Sequence, residues 1–378
     1  MSAERVVAAN ASVDTSKSED LRFMALALAL GRRGLGRTWP NPAVGAVIVK
    51  DGVIVGRGWT QAGGRPHAEV EALRRAGAAA RGATLYVTLE PCSHHGKSPP
   101  CADAVIAAGI SRVVSALEDP NPEVAGRGHA RLGAAGIAVE VGMGAEEARR
   151  DHAGHIRRMR DGRPHIMLKL AVSADGKVGA AGRTPVAITG EAVRDRVHLM
   201  RAQSDAIVVG IGTALADDPL LTCRLPGMAK NSPVRIVLDS TLRLPLRSRL
   251  AASARDVPVW VIASPEAPDA AATPLRACGV DILRTAGRDG MLDLGATFKL
   301  IAQRGITRAM VEGGPTLAAA LTAADLVDAA ILFRSPEILG SAAVDALEGL
   351  PLAALTVRLQ LRSSQPVGGD REDVYERE

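Results

Sequence analysis

The sequence predicts an α/β protein with two domains, and three observations support this fold class. Its 378 residues are more than one hydrophobic core usually serves. Apolar residues make up 47% of the chain but aromatic residues only 2%, so the cores must consist of aliphatic side chains, which suit α/β layers better than an all-β sandwich. Strand-like and helix-like segments also alternate in both halves, on either side of a polar linker at 161–164. We therefore expect a flexible extension over 1–18, one domain over 19–163 and a second over 164–378.

The first domain is expected to begin with a helix and a β-hairpin. Ser18 is a suitable N-cap for a helix that starts at Glu19. The β-rich segments 43–50 and 53–59 flank an Asp-Gly pair, which favours the turn between two antiparallel strands. Hydrophobic periodicity then predicts helices over 67–80, after Cys101, over 127–136 and over 145–160, and strands over 84–89, 112–118 and 137–142.

The second domain continues this alternation, with helical segments between its strands and no internal repeat. The predicted strands cover 165–173, 205–211, 234–239, 257–263, 279–284, 307–314 and 329–335.

Charge and cysteine usage narrow the class of ligand. The formal net charge of +5 is spread along the chain, and there are few aromatic side chains on which nucleobases could stack, so we expect a small anionic substrate and no nucleic acid. Four cysteines are too few for a disulfide framework, which predicts a reducing, cytoplasmic environment. The start of the chain has no apolar stretch of signal-peptide type, and no segment reaches the ~18 to 20 apolar residues of a membrane span. We therefore expect no membrane partner.

The most informative pattern is His67 and Glu69 followed by Cys92 and Cys101. One imidazole and two thiolates leave the fourth tetrahedral position of Zn²⁺ open for water, as a catalytic zinc site requires. Zinc lowers the pKa of its water to about 7, and Glu69 can take that proton and return it to departing ammonia. Two chance cysteines and a helix histidine are the alternative, but the order of the residues is that of the zinc nucleobase deaminases.

The spacing of the cysteines separates classes of deaminase. Cytidine and tRNA-adenosine deaminases have two residues between them, whereas the eight residues 93–100 lie between Cys92 and Cys101. The rival interpretation is a tRNA or mRNA base deaminase with an accessory domain. The positive net charge allows it, but the cysteine spacing and the lack of a basic stripe argue against it.

A resemblance to the riboflavin-pathway deaminase of the RibD family is carried by four segments in matching order and spacing: TWPNPAVGAVIVKDG, PHAEVEAL, TLEPCSHHGKSPPC and EDPNPEVAGRG. The resemblance implies a cytidine-deaminase-like domain with three α/β/α layers. It also implies that His67, Cys92 and Cys101 bind zinc and that Glu69 shuttles the proton.

By the same resemblance, the residues that hold the pyrimidine and its ribose phosphate are Asn41, His94, Lys97 and Asn121. Each of these asparagines precedes a proline, so ordinary turn chemistry is the alternative role for both. A solvated loop charge is the alternative for Lys97.

The second domain carries weaker signals of its own. Gly210 and Gly212 begin a pattern like a dinucleotide fingerprint, but the third glycine is missing, so a Rossmann assignment fails on the motif itself. Better placed are Gly313 and Gly314, which follow a strand-like run and precede Pro315 at a plausible first helical position. Such a turn lets backbone amides and a helix N-terminus face an anion, although the bare pattern is only a strand-to-helix turn.

This domain resembles the reductase domain of the same family in LKLAVSADGKV, LMRAQSDAIVVGIGTALADDPLLTCR, RIVLDS and VEGGPTLA. The resemblance implies a dihydrofolate-reductase-like α/β fold and NADPH as cofactor. The residues implied to contact NADPH are Ala171, Ala187, Thr213, Asp217, Ser240 and the segment 314–320, which begins with Gly314, Pro315 and Thr316. Those implied to contact the substrate are Lys169, Pro185, Arg201, Leu221, Arg224 and Glu312.

Some of these roles have alternatives. Arg201 and Arg224 suit a phosphate, although either arginine alone could instead form a surface salt bridge. Lys169 and Asp217 are also candidates for proton delivery. Pro185 and Ala187 depart from the family, which commonly has a serine that touches substrate and a tryptophan that touches cofactor there.

The resemblance thus implies a bifunctional enzyme of riboflavin biosynthesis with Zn²⁺ and NADPH as cofactors. It would deaminate 2,5-diamino-6-(5-phosphoribosylamino)pyrimidin-4(3H)-one and then reduce the ribosyl group of 5-amino-6-(5-phosphoribosylamino)uracil to ribityl. The alternative is a deaminase whose reductase-like domain has decayed into a structural module. We expect a cytoplasmic homo-oligomer whose partner is a phosphorylated small molecule.

Overall fold

Two large β-sheets organise the chain, one in each of two units. The computed structural model describes residues 3–94, 96, 98–183, 186–288 and 290–377. Contacts between Cα atoms divide the chain into Met1–Asp161 and Gly162–Glu378. Each unit has its own core of aliphatic side chains. The α/β fold class predicted from the sequence is confirmed.

The first unit is built on a five-stranded mixed sheet. Its strands are β1 (Gly45–Lys50), β2 (Val53–Trp59), β3 (Thr84–Val87), β4 (Arg112–Ser115) and β5 (Ala138–Val141). They lie in the order β2-β1-β3-β4-β5, with β1 antiparallel to β2 and β3, and with β3, β4 and β5 parallel. Its helices are α1 (Ala3–Arg32), α2 (Ala68–Ala76), α3 (Cys101–Ala107), α4 (Arg127–Ala134), α5 (Ala145–Asp151) and α6 (Ala153–Asp161).

Helices cover both faces of this sheet. α1 packs on β1 and β3 and contacts α5, whereas α2 packs on β1 and β2 and contacts α3. Glycines allow the close approach on each face. A Cβ at Gly45 would lie 1.8 Å from the carbonyl oxygen of Ala27 in α1, and one at Gly56 would lie 2.3 Å from the carbonyl oxygen of Ala72 in α2. The result is the predicted three-layer α/β/α arrangement.

The β1–β2 hairpin forms where the sequence predicts it. Gly45 pairs with Trp59 and Lys50 pairs with Val53, so the strands meet at the Asp-Gly pair. Asp51 has a φ of 50° and Gly52 a φ of 77°. Positive φ at both central residues is what a two-residue hairpin turn of type I′ requires, and it explains why this dipeptide stands there.

The first helix begins earlier than predicted. α1 starts at Ala3, so Ser18 lies within the helix and is not the N-cap of a helix that starts at Glu19. The physical reason is that 3–30 contains no proline or glycine, so nothing in the chain ends a helix before Ser18. None of the helices among the described residues is long and apolar enough to span a membrane.

The second unit is built on a nine-stranded sheet and two small strand pairs. Its strands are β6 (His165–Val172), β7 (Lys177–Gly179), β8 (Ala206–Gly210), β9 (Val234–Leu238), β10 (Val259–Ala263), β11 (Asp281–Arg284), β12 (Gly287–Arg288), β13 (Met291–Leu292), β14 (Arg308–Val311), β15 (Ala329–Arg334), β16 (Val344–Asp345), β17 (Gln360–Val367) and β18 (Asp370–Glu376). The large sheet has the order β11-β10-β9-β8-β14-β6-β15-β18-β17. Its strands run parallel from β11 to β15, and β18 and β17 are antiparallel additions at one edge.

Seven helices lie between the strands of this unit in the part of the chain that the structure describes. They are α7 (Glu191–Ala202), α8 (Ile211–Asp217), α9 (Arg249–Ala252), α10 (Asp269–Ala277), α11 (Leu294–Gln303), α12 (Pro315–Ala323) and α13 (Ala353–Thr356). β6, β8, β9 and β14 occupy the centre of the parallel sheet, and their carboxyl ends therefore meet at one edge. In open α/β sheets this edge is where ligands bind.

Candidate functional site

Three segments of the first unit bring His67, Cys92 and Cys101 together. His67 is the N-cap of α2, Cys101 is the first residue of α3, and Cys92 lies in the loop after β3. Nδ1 of His67 lies 3.3 Å from Sγ of Cys101 and 3.7 Å from Sγ of Cys92. The three potential ligand atoms all lie within 4.8 Å of one another. One imidazole nitrogen and two sulfurs that converge in this way are the donor set of a catalytic zinc site, so the residues fit the metal that the sequence predicts.

Hydrogen bonding within the cluster sets the charge of its sulfurs. The hydrogen bond with Cys101, aided by His67, lowers the pKa of the Cys92 thiol to about 4, so this sulfur is a thiolate at neutral pH. The backbone N–H of Cys101 also donates to Sγ of Cys92 over 3.3 Å. The same contact with Cys92, together with burial, raises the pKa of the Cys101 thiol. A thiolate and a neighbouring imidazole are ready donors for a divalent cation.

Glu69 lies in the first turn of α2, beside this cluster. Glu69 is only 3% exposed, and burial raises the pKa of its carboxyl group to about 7. A carboxyl group that titrates near neutrality can both accept and return a proton. The structure therefore brings the predicted proton carrier to the predicted ligands.

Asn41 borders the same cluster. Its Nδ2 donates to the carbonyl oxygen of Gly64 over 2.8 Å and lies 3.4 Å from Nε2 of His67. His94 is exposed in the loop between the two cysteines. Lys97, also predicted to contact substrate, lies outside the described residues.

Asn121 has the turn chemistry that its Asn-Pro pair suggests. Its backbone N–H donates to Oδ1 of Asp119 over 2.9 Å, and its own Oδ1 accepts from the N–H of Glu123 over 3.1 Å. Nε2 of His155 in α6 lies 2.9 Å from the same oxygen of Asp119. The Asn121 turn is therefore held through Asp119 from a helix that no sequence motif connected with it.

No role was predicted for Glu90, yet its carboxylate organises the loop beside Cys92. Oε2 accepts the N–H groups of Asp119 and Gly126 over 3.1 and 2.9 Å, and Oε1 accepts those of Gly128 and His129 over 2.7 and 3.1 Å. Four amides on one buried carboxylate fix the path of the chain over 119–129. The residue stands in the TLEPC segment, but nothing in that pattern shows where its partners lie.

Glu90 also belongs to a second grouping of possible metal ligands, with Glu118 and His129. Each oxygen of Glu90 already accepts two amide hydrogens, so the lone pairs that a cation would need are engaged. This grouping is therefore structural.

In the second unit, Lys169, Arg201 and Glu312 form a cluster at the carboxyl end of β14. Leu168 of β6 pairs with Val311 of β14 in parallel register. The next residues along the sequence, Lys169 and Glu312, therefore lie beside each other. Nε and Nη2 of Arg201 donate to the two carboxylate oxygens of Glu312 over 2.7 and 2.9 Å. This bidentate pair occupies one edge of the Arg201 guanidinium.

Burial and charge act in opposite directions on this cluster. Burial lowers the pKa of the Lys169 ammonium, and the nearby Glu312 counteracts this. Burial would raise the pKa of Glu312, but Arg201 and Lys169 hold it below its ordinary value. Glu312 is therefore a carboxylate, with two cations beside it.

The loop after α8 supports Arg201 from the other side. Leu221 is buried and has a left-handed φ of 55°, an uncommon conformation for a branched side chain. The next carbonyl, of Thr222, accepts from Nη1 of Arg201 over 3.2 Å and lies 3.1 Å from Nδ1 of His198. The backbone N–H of Arg224 donates to the same nitrogen of His198 over 3.3 Å. Arg224 is exposed. His198 was not predicted as part of this site.

The glycine turn lies where the sequence predicts it. Gly314 is the N-cap of α12 and Pro315 its first residue. The N–H of Gly314 donates to Oγ1 of Thr213 over 3.0 Å, which joins two residues predicted to contact the cofactor. Ala171 in β6 and Ser240 after β9 belong to the same edge of the sheet.

The remaining predicted cofactor residues differ in exposure. Asp217 and Thr316 are exposed, and Oγ1 of Thr316 donates to Oε2 of Glu348 over 2.5 Å. Ala187 is exposed on an irregular segment, and Pro185 lies outside the described residues.

The fold and the cysteine–histidine cluster together define a two-domain enzyme of the zinc-dependent deaminase class. Residues 17–117 match the family model described as cytidine and deoxycytidylate deaminase zinc-binding region, and residues 164–371 match the RibD C-terminal domain. The chain belongs to the RibD family, the bifunctional enzymes of riboflavin biosynthesis that join a deaminase to a reductase.

Relatives match almost the whole chain. The riboflavin biosynthesis protein RibD of Escherichia coli (strain K12) is 44% identical over 365 residues, which cover 93% of this chain and 98% of that protein. The RibD of Aquifex aeolicus (strain VF5) is 41% identical over 339 residues, 90% of this chain and 91% of that one.

Solved structures agree. A structure of Acinetobacter baumannii RibD has a TM-score of 0.85 at 36% identity and covers 95% of this chain and 99% of its own. A second structure, from Thermotoga maritima, has a TM-score of 0.83 at 34% identity and covers 96% of this chain and 99% of its own. It is described as a diaminohydroxyphosphoribosylaminopyrimidine deaminase/5-amino-6-(5-phosphoribosylamino)uracil reductase.

Proposed function

We propose that the first unit deaminates 2,5-diamino-6-(5-phosphoribosylamino)pyrimidin-4(3H)-one at the pyrimidine 2-position. The observation that carries this proposal is the convergence of His67, Cys92 and Cys101 with Glu69 buried beside them. These three ligands would hold Zn²⁺, which when bound supplies the Lewis acidity that makes water nucleophilic at neutral pH. The Thermotoga maritima relative is described as acting on this class of substrate.

Glu69 acts as the proton carrier of this reaction. It accepts the proton from the attacking water and delivers it to the leaving amino group, which departs as ammonia. Burial raises the pKa of its carboxyl group, which favours uptake of a proton.

The substrate is held around this centre by Asn41, His94, Lys97 and Asn121. Asn41, 3.4 Å from Nε2 of His67, supports a contact to the pyrimidine ring. The exposure of His94 supports a contact to the ribose phosphate, which leaves the ring toward solvent. Lys97 and Asn121 take part by family resemblance.

The second unit reduces the deaminated product, 5-amino-6-(5-phosphoribosylamino)uracil, with NADPH. NADPH, when bound, would supply the hydride for reduction of the sugar C1′ in its open imine or carbonyl form. The N-terminus of α12, which begins after the glycine turn at Gly314, supports a contact to a phosphate of this cofactor, because a helix N-terminus favours an anion. The remaining cofactor contacts are those of Ala171, Ala187, Asp217, Ser240, Pro315 and Thr316.

The cations proposed for the substrate site of this unit are half-buried or exposed. Arg224 is exposed and supports a contact to the substrate phosphate, whereas Arg201 is engaged by Glu312 and positions that carboxylate. Lys169, beside Glu312, is the candidate for delivering the proton that balances hydride transfer. Leu221 contacts the substrate by resemblance, and Pro185 stands where the family commonly has a serine that touches it. The paired Arg201 and Glu312 argue against a decayed reductase.

We also propose that the enzyme works in the cytoplasm, which the four free cysteines support. A homo-oligomer stays a prediction, and sedimentation of the purified chain tests it.

The decisive experiment incubates the zinc-loaded chain with the diamino substrate, with and without NADPH, and follows ammonia release and NADPH oxidation separately. Ammonia without NADPH, and NADPH oxidation only after deamination, are the expected results. A chain that released ammonia but never oxidised NADPH would refute the second activity.

A further inference from the structure

Arg65 lies two residues before the metal ligand His67 and reaches the loop between the two cysteines. Its Nη1 donates a hydrogen bond to Oγ of Ser98. A Cβ placed on Gly96 would lie 3.4 Å from Nη2 of Arg65 and 3.8 Å from the ring of His94. Arg65 and His94 therefore flank the same glycine at the mouth of the deaminase site.

The guanidinium of Arg65 has no acidic partner among the residues that the structure describes. Two arginines of this unit that do have acidic partners are Arg112, which pairs with Asp20 at 2.6 Å, and Arg131, which pairs with Asp103 at 2.6 Å. One hydrogen bond to Ser98 engages one of the five N–H donors of a guanidinium. Arg65 thus presents an uncompensated cation with free donors.

The position of this cation matches one end of the substrate. The reacting end of the pyrimidine must meet Glu69, which is 3% exposed. His94, Gly96 and Ser98 are all exposed, so the loop that Arg65 contacts forms the outer rim. A phosphate on the ribose is the part of the substrate farthest from the reacting carbon, and it needs a cation at the rim.

We propose that Arg65 binds the phosphate group of the deaminase substrate, together with His94. The inference rests on the proposed deaminase function and adds a specificity residue to it. A planar guanidinium binds two phosphate oxygens at once, which fixes the orientation of the group as well as its charge. Arg65 hydrogen-bonds the loop at Ser98 and not Glu69, so we expect it to act on substrate binding and not on the chemical step.

The test compares Arg65→Gln with wild type in the full-length, zinc-loaded chain. Deamination is measured with the phosphorylated substrate and with its dephosphorylated riboside. We expect KM for the phosphorylated substrate to rise about 10- to 100-fold, as for loss of a charged hydrogen bond, with kcat unchanged. KM for the riboside and the zinc content should stay at wild-type values.

Two further variants separate phosphate binding from loop support and from net charge. Ser98→Ala removes the Arg65 hydrogen bond but keeps the cation, so it should retain most of the preference for the phosphorylated substrate. Arg57→Gln removes a positive charge from β2 instead. Arg57 lies between Gly56 and Gly58, which face α2, so its side chain points to the opposite face of the sheet. This variant should leave both KM values unchanged.

The outcomes are distinct. If Arg65→Gln weakens both substrates equally, or if Ser98→Ala reproduces its effect, Arg65 only supports the loop and the inference is wrong. If the wild-type chain deaminates neither compound, the proposed function itself fails, and the inference fails with it.

Discussion

Glu69 and Glu90 are both buried in the first unit, but their surroundings give them different tasks. Burial dominates around Glu69 and brings its pKa to about 7, which suits a group that must gain and lose a proton. Glu90 instead accepts four backbone N–H groups over 2.7–3.1 Å. Its charge is used to hold the loop at 119–129. A buried glutamate thus carries a proton at position 69 and holds a loop by hydrogen bonds at position 90.

Replacing each glutamate by glutamine should separate these tasks. Glu69→Gln keeps the shape but cannot carry a proton, so we expect one zinc per chain, normal unfolding and deamination slower by about 100- to 10,000-fold. Metal analysis and ammonia release measure this. If the variant lost its zinc or deaminated at nearly the wild-type rate, the role of Glu69 would be wrong.

Glu90→Gln is the matched comparison. A glutamine amide has one acceptor oxygen and one NH₂ group, so two of the four backbone N–H groups would face another donor. We expect the free energy of unfolding of the first unit to fall by about 2 to 4 kcal/mol. Thermal and denaturant unfolding measure it. A variant as stable as Glu69→Gln would contradict the architectural role.

At the scale of elements, Asp20 fastens α1 to the sheet. Its carboxylate accepts hydrogen bonds from Nη1 and Nη2 of Arg112 in β4 over 3.0 and 2.6 Å. It also accepts a hydrogen bond from the hydroxyl of Tyr86 in β3. The Arg112 guanidinium holds the pKa of Asp20 below its ordinary value of 3.8. Three elements therefore meet at one charged group that is 6% exposed.

This contact makes the stability of the first unit depend on pH. Because the folded-state pKa of Asp20 is lowered, its contribution is complete above the ordinary pKa and is lost as the pH falls through the lowered value. We expect Asp20→Asn to reduce the free energy of unfolding by about 1 to 3 kcal/mol at about pH 7, and the difference from wild type to vanish in strong acid. Glu140→Gln, which removes an exposed partner of Arg112, should cost less than about 1 kcal/mol. A difference between wild type and Asp20→Asn that did not depend on pH would contradict this argument.

Close packing of α1 on β1 depends on Gly45. A Cβ there would lie 1.8 Å from the carbonyl oxygen of Ala27 and 2.6 Å from the backbone nitrogen of Gly31, so the helix would have to move. We expect Gly45→Ala to destabilise the first unit by about 3 kcal/mol. Gly133 in α4 has no atom within 4 Å of its Cβ position, and Gly133→Ala should stabilise by up to about 1 kcal/mol through helix propensity. Equal effects in denaturant unfolding would show that packing at Gly45 is not the cause.

The elements differed in how well the sequence predicted them. The β1–β2 hairpin was predicted because an Asp-Gly pair encodes its turn within two residues. β17 and β18 were missed because β17 reads QLRSSQPV and is exposed along most of its length, which leaves no apolar alternation to detect. The predicted start of α1 was wrong because Ser18, a residue that favours the N-cap position, occurs inside a continuous helix.

The candidate site shows the same division. His67, Cys92 and Cys101 were found because metal chemistry restricts residue type as well as spacing. The amides that Glu90 binds lie 29 to 39 residues further along the chain, and their meeting depends on the path of a loop. His198 and His155 act through such long-range contacts too, so no local pattern could reveal them.

Across the whole molecule, each candidate site is assembled within one unit. The zinc ligands and Glu69 all precede Asp161, whereas Lys169, Arg201, Glu312 and the glycine turn all follow Gly162. Neither unit takes any of these residues from the other. The two chemical steps should therefore be separable by substitutions that leave the chain intact.

We expect two full-length variants to separate them. Glu69→Gln should release ammonia from the diamino substrate about 100- to 10,000-fold more slowly than wild type but should oxidise NADPH at the wild-type rate when given the deaminated intermediate, because its second unit is unchanged. Glu312→Gln should do the reverse, because removing this carboxylate leaves Lys169 and Arg201 as half-buried cations without their counter-ion. That variant should therefore lose reduction, and its second unit should lose about 3 to 5 kcal/mol of stability, while ammonia release continues. Parallel assays of ammonia and NADPH absorbance measure both steps. Loss of both activities in either variant, with the other unit shown to be folded, would mean that the two sites depend on each other.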